Sequence, residues 1–177
     1  VYTMEPLFEN EITLTPHILY EYMLAQSGAA SKYAGIAMII GLIMFATGSF
    51  IDKNIVLFFT AIILIVIVLL FLKFFPRFLS NKVYKKRLAM NNGEQIKRII
   101  GFTESIHIVT ANNKELSYGY RQVTKIYETQ NLLILKIGTM VGILLDKNNF
   151  KLGNFETFYK FINEKCPFAK YKNISSK

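Results

Sequence analysis

The stretch IVLFFTAIILIVIVLLFLKFFPR, Ile55 to Arg77, decides the fold. Ile55–Leu72 carries no charge, and Phe74, Phe75 and Phe78 extend the apolar surface past Lys73. A helix needs about 20 such residues to cross a hydrocarbon core about 30 Å thick. Just before it, YAGIAMIIGLIMFATGSFI, Tyr33 to Ile51, is a second uncharged run. Only Asp52-Lys53-Asn54 separates the two, so they predict a tight helical hairpin. In lipid each backbone polar group must be satisfied within the segment, which selects helices. Two fully apolar helices of this length are more than a soluble domain of this size can wrap. The first run starts at residue 33 and a second follows at once, which speaks against a cleaved signal peptide.

The charge distribution orients this hairpin. The net charge is +9, yet residues 1–32 sum to −3 and residues 33–72 to zero. Residues 73–98 sum to +7 and residues 99–177 to +5, so the excess sits directly after the second run. Lys and Arg flanking spans stay on the cytoplasmic side. The expectation is a multi-pass protein of the cell membrane with both termini cytoplasmic and residues 52–54 on the far side. Neither span holds an ionisable group, which disfavours transport by this chain alone.

Four segments follow: 1–32, an N-terminal strand and amphipathic helix; 33–72, the hairpin of spans 33–51 and 55–72; 73–94, a basic amphipathic connector; and 95–177, a β domain with a C-terminal helix. Within the first span, Ala34, Ala37, Gly41 and Gly48 form a small-residue stripe. It is read as the groove that receives the second span, with a homodimer seam as the alternative. In the connector, the helix is expected to continue past Pro76 to Asn91-Asn92-Gly93, with Phe75, Leu79, Val83 and Met90 on one face. Lys73, Arg77, Lys82, Lys85, Lys86 and Arg87 satisfy the positive-inside rule and are candidates for contact with anionic headgroups of the inner leaflet. A basic cluster against a span calls for lipid, and no nucleic-acid partner is expected.

From Gln95 the period shortens to strands at Gln95–Thr103, Glu104–Thr110, Glu115–Tyr120, Lys125–Thr129, Leu132–Ile137 and Met140–Leu145, with turns at 111–114, 130–131 and 138–139. Asn154 caps a helix whose Phe155, Phe158, Phe161 and Ile162 share one side as far as Lys165. These elements predict a small, bent antiparallel β-barrel closed by that helix. Leu7–Leu14 offers one more strand. Thr15-Pro16 opens an amphipathic helix with Ile18, Leu19, Tyr22 and Met23 on its apolar side. Residues 27–31 then read as a flexible link. Strand and helix are expected to dock on the β domain.

Tyr120, Val123, Ile126, Glu128, Thr129, Leu133 and Leu135 in YRQVTKIYETQNLLIL, with Lys147 and Phe150 in LLDKNNF, set out a pattern. It resembles the YcxB-like membrane proteins of bacteria, as does the order of parts. Asp146 stands where that family often has Pro, and Tyr120 where Trp is common. The resemblance implies a β domain similar to pleckstrin-homology domains and carries no assigned activity.

The lone Cys166 permits no internal disulfide and no Cys-based zinc site; it is read as a surface or half-buried thiol. His17 and His107 lack companion ligands and read as surface residues. No activated nucleophile, carboxylate pair, phosphate-binding Gly loop or metal spacing is found, so neither an enzyme nor a cofactor is expected. Glu128-Thr129 is assigned to a turn and Lys147 to solvent beside an aromatic. The leading expectation is a non-catalytic, membrane-anchored binding or scaffold module with a protein or peptide partner. The alternatives are an immunity protein against a membrane-active bacteriocin or toxin, and an accessory subunit of a transporter or secretion complex.

Overall fold

The computed structural model describes residues 5–26, 29–110, 115–138 and 141–174, with side chains omitted for 29–32. Thr15 caps helix α1 (Pro16–Gln26), its Oγ1 accepting from the Ile18 amide at 3.2 Å, while Pro16 fills the first helical position without forfeiting a bond. Helix α2 (Ala29–Ile51) begins two residues after Ser27, so Ala29-Ala30-Ser31 is helical where a link was expected. Ser27 and Gly28 themselves lie outside the described residues. Lys53 turns the hairpin tip in the left-handed region (φ 55°), and Asn54 caps helix α3 (Ile55–Met90) by accepting from Leu57 N. At 1.5 Å per residue α3 is about 54 Å long, so second span and connector are one rod with Pro76 inside it. It stops where expected: Asn92 is left-handed (φ 55°) and Gly93 N donates to Leu88 O at 2.8 Å, a Schellman closure.

The helices pack along a stripe other than the small one. On α2, Gly35, Ala46 and Ser49 are buried and Ile39 and Leu42 half-buried, facing Phe58, Ala61, Ile65 and Val68 of α3. A Cβ on Gly35 would lie 3.1 Å from Leu72 Cδ1, whereas Gly41 and Gly48 have nothing within 4 Å. Ala34, Ala37, Gly41 and Gly48 are exposed, which corrects their reading as the intramolecular groove. The contact positions 35, 39, 42, 46 and 49 recur at heptad spacing and mix small with large residues, and the stripe of Ala34, Ala37, Gly41 and Gly48 is left outside. The connector face is corrected likewise: Phe75, Leu79 and Met90 are exposed, and α3 buries Ser80 and partly buries Pro76, Val83, Tyr84 and Leu88. Thr47, Ser49 and Thr60 donate to the carbonyls of Ile43, Phe45 and Val56, so these hydroxyls are satisfied within their own helices.

Below the helices lie two sheets. Strands β1 (Phe8–Thr13), β2 (Lys97–Phe102), β3 (Ile106–Thr110), β4 (Glu115–Tyr118) and β8 (Phe150–Leu152) form one, in the order β4-β3-β2-β1-β8. Strands β5 (Val123–Glu128), β6 (Leu132–Ile137), β7 (Val141–Asp146) and β9 (Lys170–Asn173) form the other, in the order β7-β6-β5-β9. Helix α4 (Phe155–Lys165) packs across them with Phe158 and Ile162 fully buried, and Asn154 caps it at 2.9 Å from Thr157 N. The expected closed antiparallel barrel is corrected: there are two sheets, and β5 and β9 run parallel. Glu115–Tyr120 is shorter than expected, because Tyr120–Gln122 forms a 3-10 turn. The expected turn 111–114 and residues 139–140 lie outside the described residues.

β1 is an inner strand, not an appendage. Phe8 pairs with Phe102 and Thr13 with Lys97, while Glu9 and Asn10 pair with β8 on the other side. Ile12 and Leu14 are fully buried among Ile100, Phe102, Ile126, Leu133 and Phe158. The helical hairpin is thus an insertion between two neighbouring strands of one sheet.

Candidate functional site

The connector bases come first, since α3 positions them by helical period alone. Lys73, Arg77, Lys82, Lys85 and Lys86 are exposed. Arg77 lies over the Tyr20 ring at 5.6 Å and Lys73 over Phe74 at 5.7 Å. Gly35 against Leu72 sets Tyr33 roughly level with Phe74, where charge first appears on both helices. Each rung below Lys73 descends about 1.5 Å, while a headgroup layer is about 5–7 Å deep. Along α3, Arg77 lies about 6 Å past Lys73, and Lys82, Lys85 and Lys86 lie about 13–20 Å past it. Arg87 differs from the other five. It is half-buried, and its charge acts on Tyr22 of α1 and Arg98 of β2.

A cleft of about 220 Å³ opens between α1 and the β5–β6 turn, lined in part by His17, Tyr20, Glu21, Thr129, Asn131 and Ile174. Glu21 crosses it. Its Oε1 accepts from Asn131 N at 2.9 Å and its Oε2 from Asn131 Nδ2 at 3.2 Å. Burial pushes the Glu21 carboxyl up, but the neighbouring Thr129 hydroxyl and the hydrogen bonds from Asn131 outweigh it and hold the group below its ordinary value. The contact clamps α1 to the β domain, and Tyr20 links the clamp to Arg77 on α3.

The motif residues around 128 and 147 meet. Lys147 Nζ lies 2.6 Å from Glu128 Oε1 and donates to Thr129 O at 2.7 Å, over the Phe155 ring at 5.0 Å. Tyr171 of β9 donates its hydroxyl to the other Glu128 oxygen. The Lys147 side chain is only 14% exposed, so it is not a solvated base. Glu128 ties β9 to the core, beyond its turn. Thr129 keeps its assigned role: its Oγ1 donates to Leu132 O and accepts from Leu132 N, both at 3.0 Å. Val123, Ile126, Leu133 and Leu135 are core residues, and Phe150 is half-buried against Phe158. Tyr120 is buried and donates to Thr103 O at 2.8 Å, and burial raises its phenol well above the usual range. Cys166 is buried beneath it, Sγ 3.5 Å from Tyr120 O, and burial pushes its thiol up to about 11. That corrects the surface reading of the thiol.

One arrangement escaped the sequence reading. Ser105 Oγ lies 2.8 Å from His107 Nε2, and His107 Nδ1 lies 3.6 Å from Glu115 Oε1. These residues share the outer face of β3 and β4, since Ile106 and Ile108 point to the core. The order resembles a nucleophile, base and acid, but the last separation exceeds a hydrogen bond. Ser117 Oγ also donates to Ser105 Oγ at 3.2 Å, which completes a polar network on an open sheet face.

Residues 102–162 match the family model described as YcxB-like protein. The chain carries a YcxB-like domain. The match runs from the end of β2 into α4; it takes in the Glu128–Lys147 pair and leaves out β1, the hairpin and β9. No curated protein and no solved structure matches the chain. Among the described residues, no group of three or more His, Cys, Asp or Glu is placed to hold a metal ion. The YcxB-like segment supplies β5, β6 and β7 of the second sheet and most of the capping helix, and Asn10 and Asn149 join the N-terminal strand to it. Asn10 is fully buried, its amide donating to Asp146 O at 2.7 Å and Asn149 O at 3.1 Å. Asn149 returns a bond to Glu11 O at 2.8 Å. An Asn within an alternating strand is the only mark of this in the sequence.

Proposed function

We propose that this chain is a non-catalytic binding module anchored in the cell membrane, with α2 and α3 crossing the bilayer and the YcxB-like domain held at its cytoplasmic face. The observation that carries the reading is the pairing of β1 with β2. A sheet built from strands on either side of the hairpin requires both hairpin ends to emerge on one side. The apolar windows of the two helices are only 17% and 6% buried within the molecule, which suits contact with lipid rather than a protein core. The excess of Lys and Arg below residue 72 supports the cytoplasmic orientation. Lys73 and Arg77 then meet anionic headgroups, and Lys82, Lys85 and Lys86 face the aqueous side. Two sheets capped by α4 support a pleckstrin-homology-like domain, whose open edges suit a protein or peptide partner. Tethering raises its effective concentration toward membrane partners without any new contact.

A second reading adds a partner helix in the membrane, a second copy or a larger complex, favoured by the outward stripe of Ala34, Ala37, Gly41 and Gly48.

Labelling in intact cells tests the topology. In a Cys166→Ala background, Asp52→Cys should react with a membrane-impermeant maleimide from outside, and Glu94→Cys only after permeabilisation. Outside labelling of Glu94→Cys, or release of the full chain by a carbonate wash, overturns the reading.

A further inference from the structure

Arg98 sits on the core face of β2. It pairs with Ile12, which is fully buried, and precedes Ile100 and Phe102 on the same face. Its Nε is buried and meets no hydrogen-bond acceptor. Arg87, from the last turn of α3, is near enough for its charge to act on Arg98, and among the described residues neither guanidinium forms an ion pair with a carboxylate. Two half-buried like charges with an unsatisfied donor are unfavourable unless something anionic joins them. Tyr22 completes the corner: its hydroxyl accepts from Gln26 and keeps its own proton to donate.

We propose that Arg87 and Arg98, with the Tyr22 hydroxyl, bind a phosphate-class oxyanion at the junction of α3, α1 and β2. Planar guanidinium forks match the oxygens of such an anion, and its charge relieves their mutual repulsion. The Arg87 backbone lies fourteen residues past Lys73, about 21 Å along the helix, well below a flat headgroup layer. The phosphate belongs either to a soluble molecule or to a lipid headgroup reached by a tilted α3.

The experiment measures the thermal midpoint of the full chain in neutral phosphatidylcholine nanodiscs, with inorganic phosphate against chloride at equal ionic strength. Phosphate should raise the midpoint saturably in the parent and in Lys85→Met, and not in Arg98→Met or Arg87→Met. Arg98→Met keeps an apolar stem and removes the repulsion, so in chloride it should melt above the parent. A second arm replaces phosphate with phosphatidylglycerol in the nanodisc. An Arg98-dependent rise there assigns the anion to a headgroup, and a rise with phosphate alone assigns it to a soluble ligand. Equal midpoints in phosphate, chloride and both lipids, or the same rise in Arg98→Met as in the parent, overturn the proposal. Such a failure leaves the maleimide topology untouched, so the two readings stand or fall separately.

Discussion

Asn10 and Asp146 meet as two paired strands would, although no ladder joins them: the Asn10 amide donates to Asp146 O at 2.7 Å and Asp146 N donates to Asn10 Oδ1 at 3.0 Å. A side chain here stands in for a missing strand. It joins the first sheet to the second at the point where the chain turns from β7 into β8. Asn10→Ala removes the acceptor of the Asp146 amide, while the Asp146 and Asn149 carbonyls keep the bonds they accept from Asn149 N and Glu11 N. A loss of about 1–3 kcal/mol is expected, the cost of one unsatisfied buried group. Denaturant unfolding of the detergent-solubilised chain measures it; a change below the error of the method would show that the junction is held elsewhere.

Lys147 and Glu128 form a mostly buried pair, with side chains 14% and 15% exposed. Lys147→Met keeps the stem over Phe155 but leaves the Glu128 charge with Tyr171 alone. A double-mutant cycle with Glu128→Gln should give a coupling of about 1–3 kcal/mol. Additive losses would mean that the pair is incidental.

Glu21 carries a pH signature. Its folded value lies below its ordinary one, so its contribution is present above about pH 4.5 and lost as acid protonates it in the fold. The parent should therefore lose more stability than Glu21→Gln as pH falls through that range. The check is a series of thermal midpoints for both, and parallel curves would remove Glu21 from the account.

Cys166 works in the opposite direction. Its thiol is neutral in the fold up to about pH 11, whereas the unfolded thiol ionises near 9. Its stabilisation is complete below about 9 and lost as pH rises toward 11, and Tyr120 above it shifts with the same sign. At neutral pH a thiol reagent should label the native chain far more slowly than the detergent-denatured one. Equal rates would place the thiol at the surface.

Gly35 and Gly41 separate the two faces of α2. Gly35→Ile forces Leu72 aside and should lower the thermal midpoint in detergent, while Gly41→Ile and Gly48→Ile, which meet open space, should not. If a second copy seats on the small stripe, those two substitutions abolish cross-linking between copies without touching the midpoint. A Gly35→Ile chain as stable as the parent would contradict the packing.

Much of this architecture is legible in the sequence because its signals are strong and local. The uncharged runs, the Asn91-Asn92-Gly93 stop, the Thr15 and Asn154 caps and the alternation of Ile106 and Ile108 each work within a few residues. β8 and β9 lack such marks: β8 spans three residues, and Lys170–Asn173 is exposed throughout. The apolar faces of α2 and α3 are hard to phase, because a helix apolar all round does not show which side meets its neighbour. Arg87 and Arg98 come near each other because the α3 stop folds β2 back beneath α1, and a linear reading assigns one to the connector and the other to a strand.

The pairing of Thr13 with Lys97 has a consequence for synthesis. On the topology proposed above, β1 leaves the ribosome long before its neighbour exists, and β2 arrives only after the hairpin has been handed to the insertion machinery. A hairpin that entered upside down would deliver β2 to the wrong compartment and leave β1 unmated. β8 would then keep an open edge of the kind that recruits aggregation and proteolysis. Completion of the sheet would thereby proofread insertion, and a fragment starting after α3 would lack an interior strand of its own sheet.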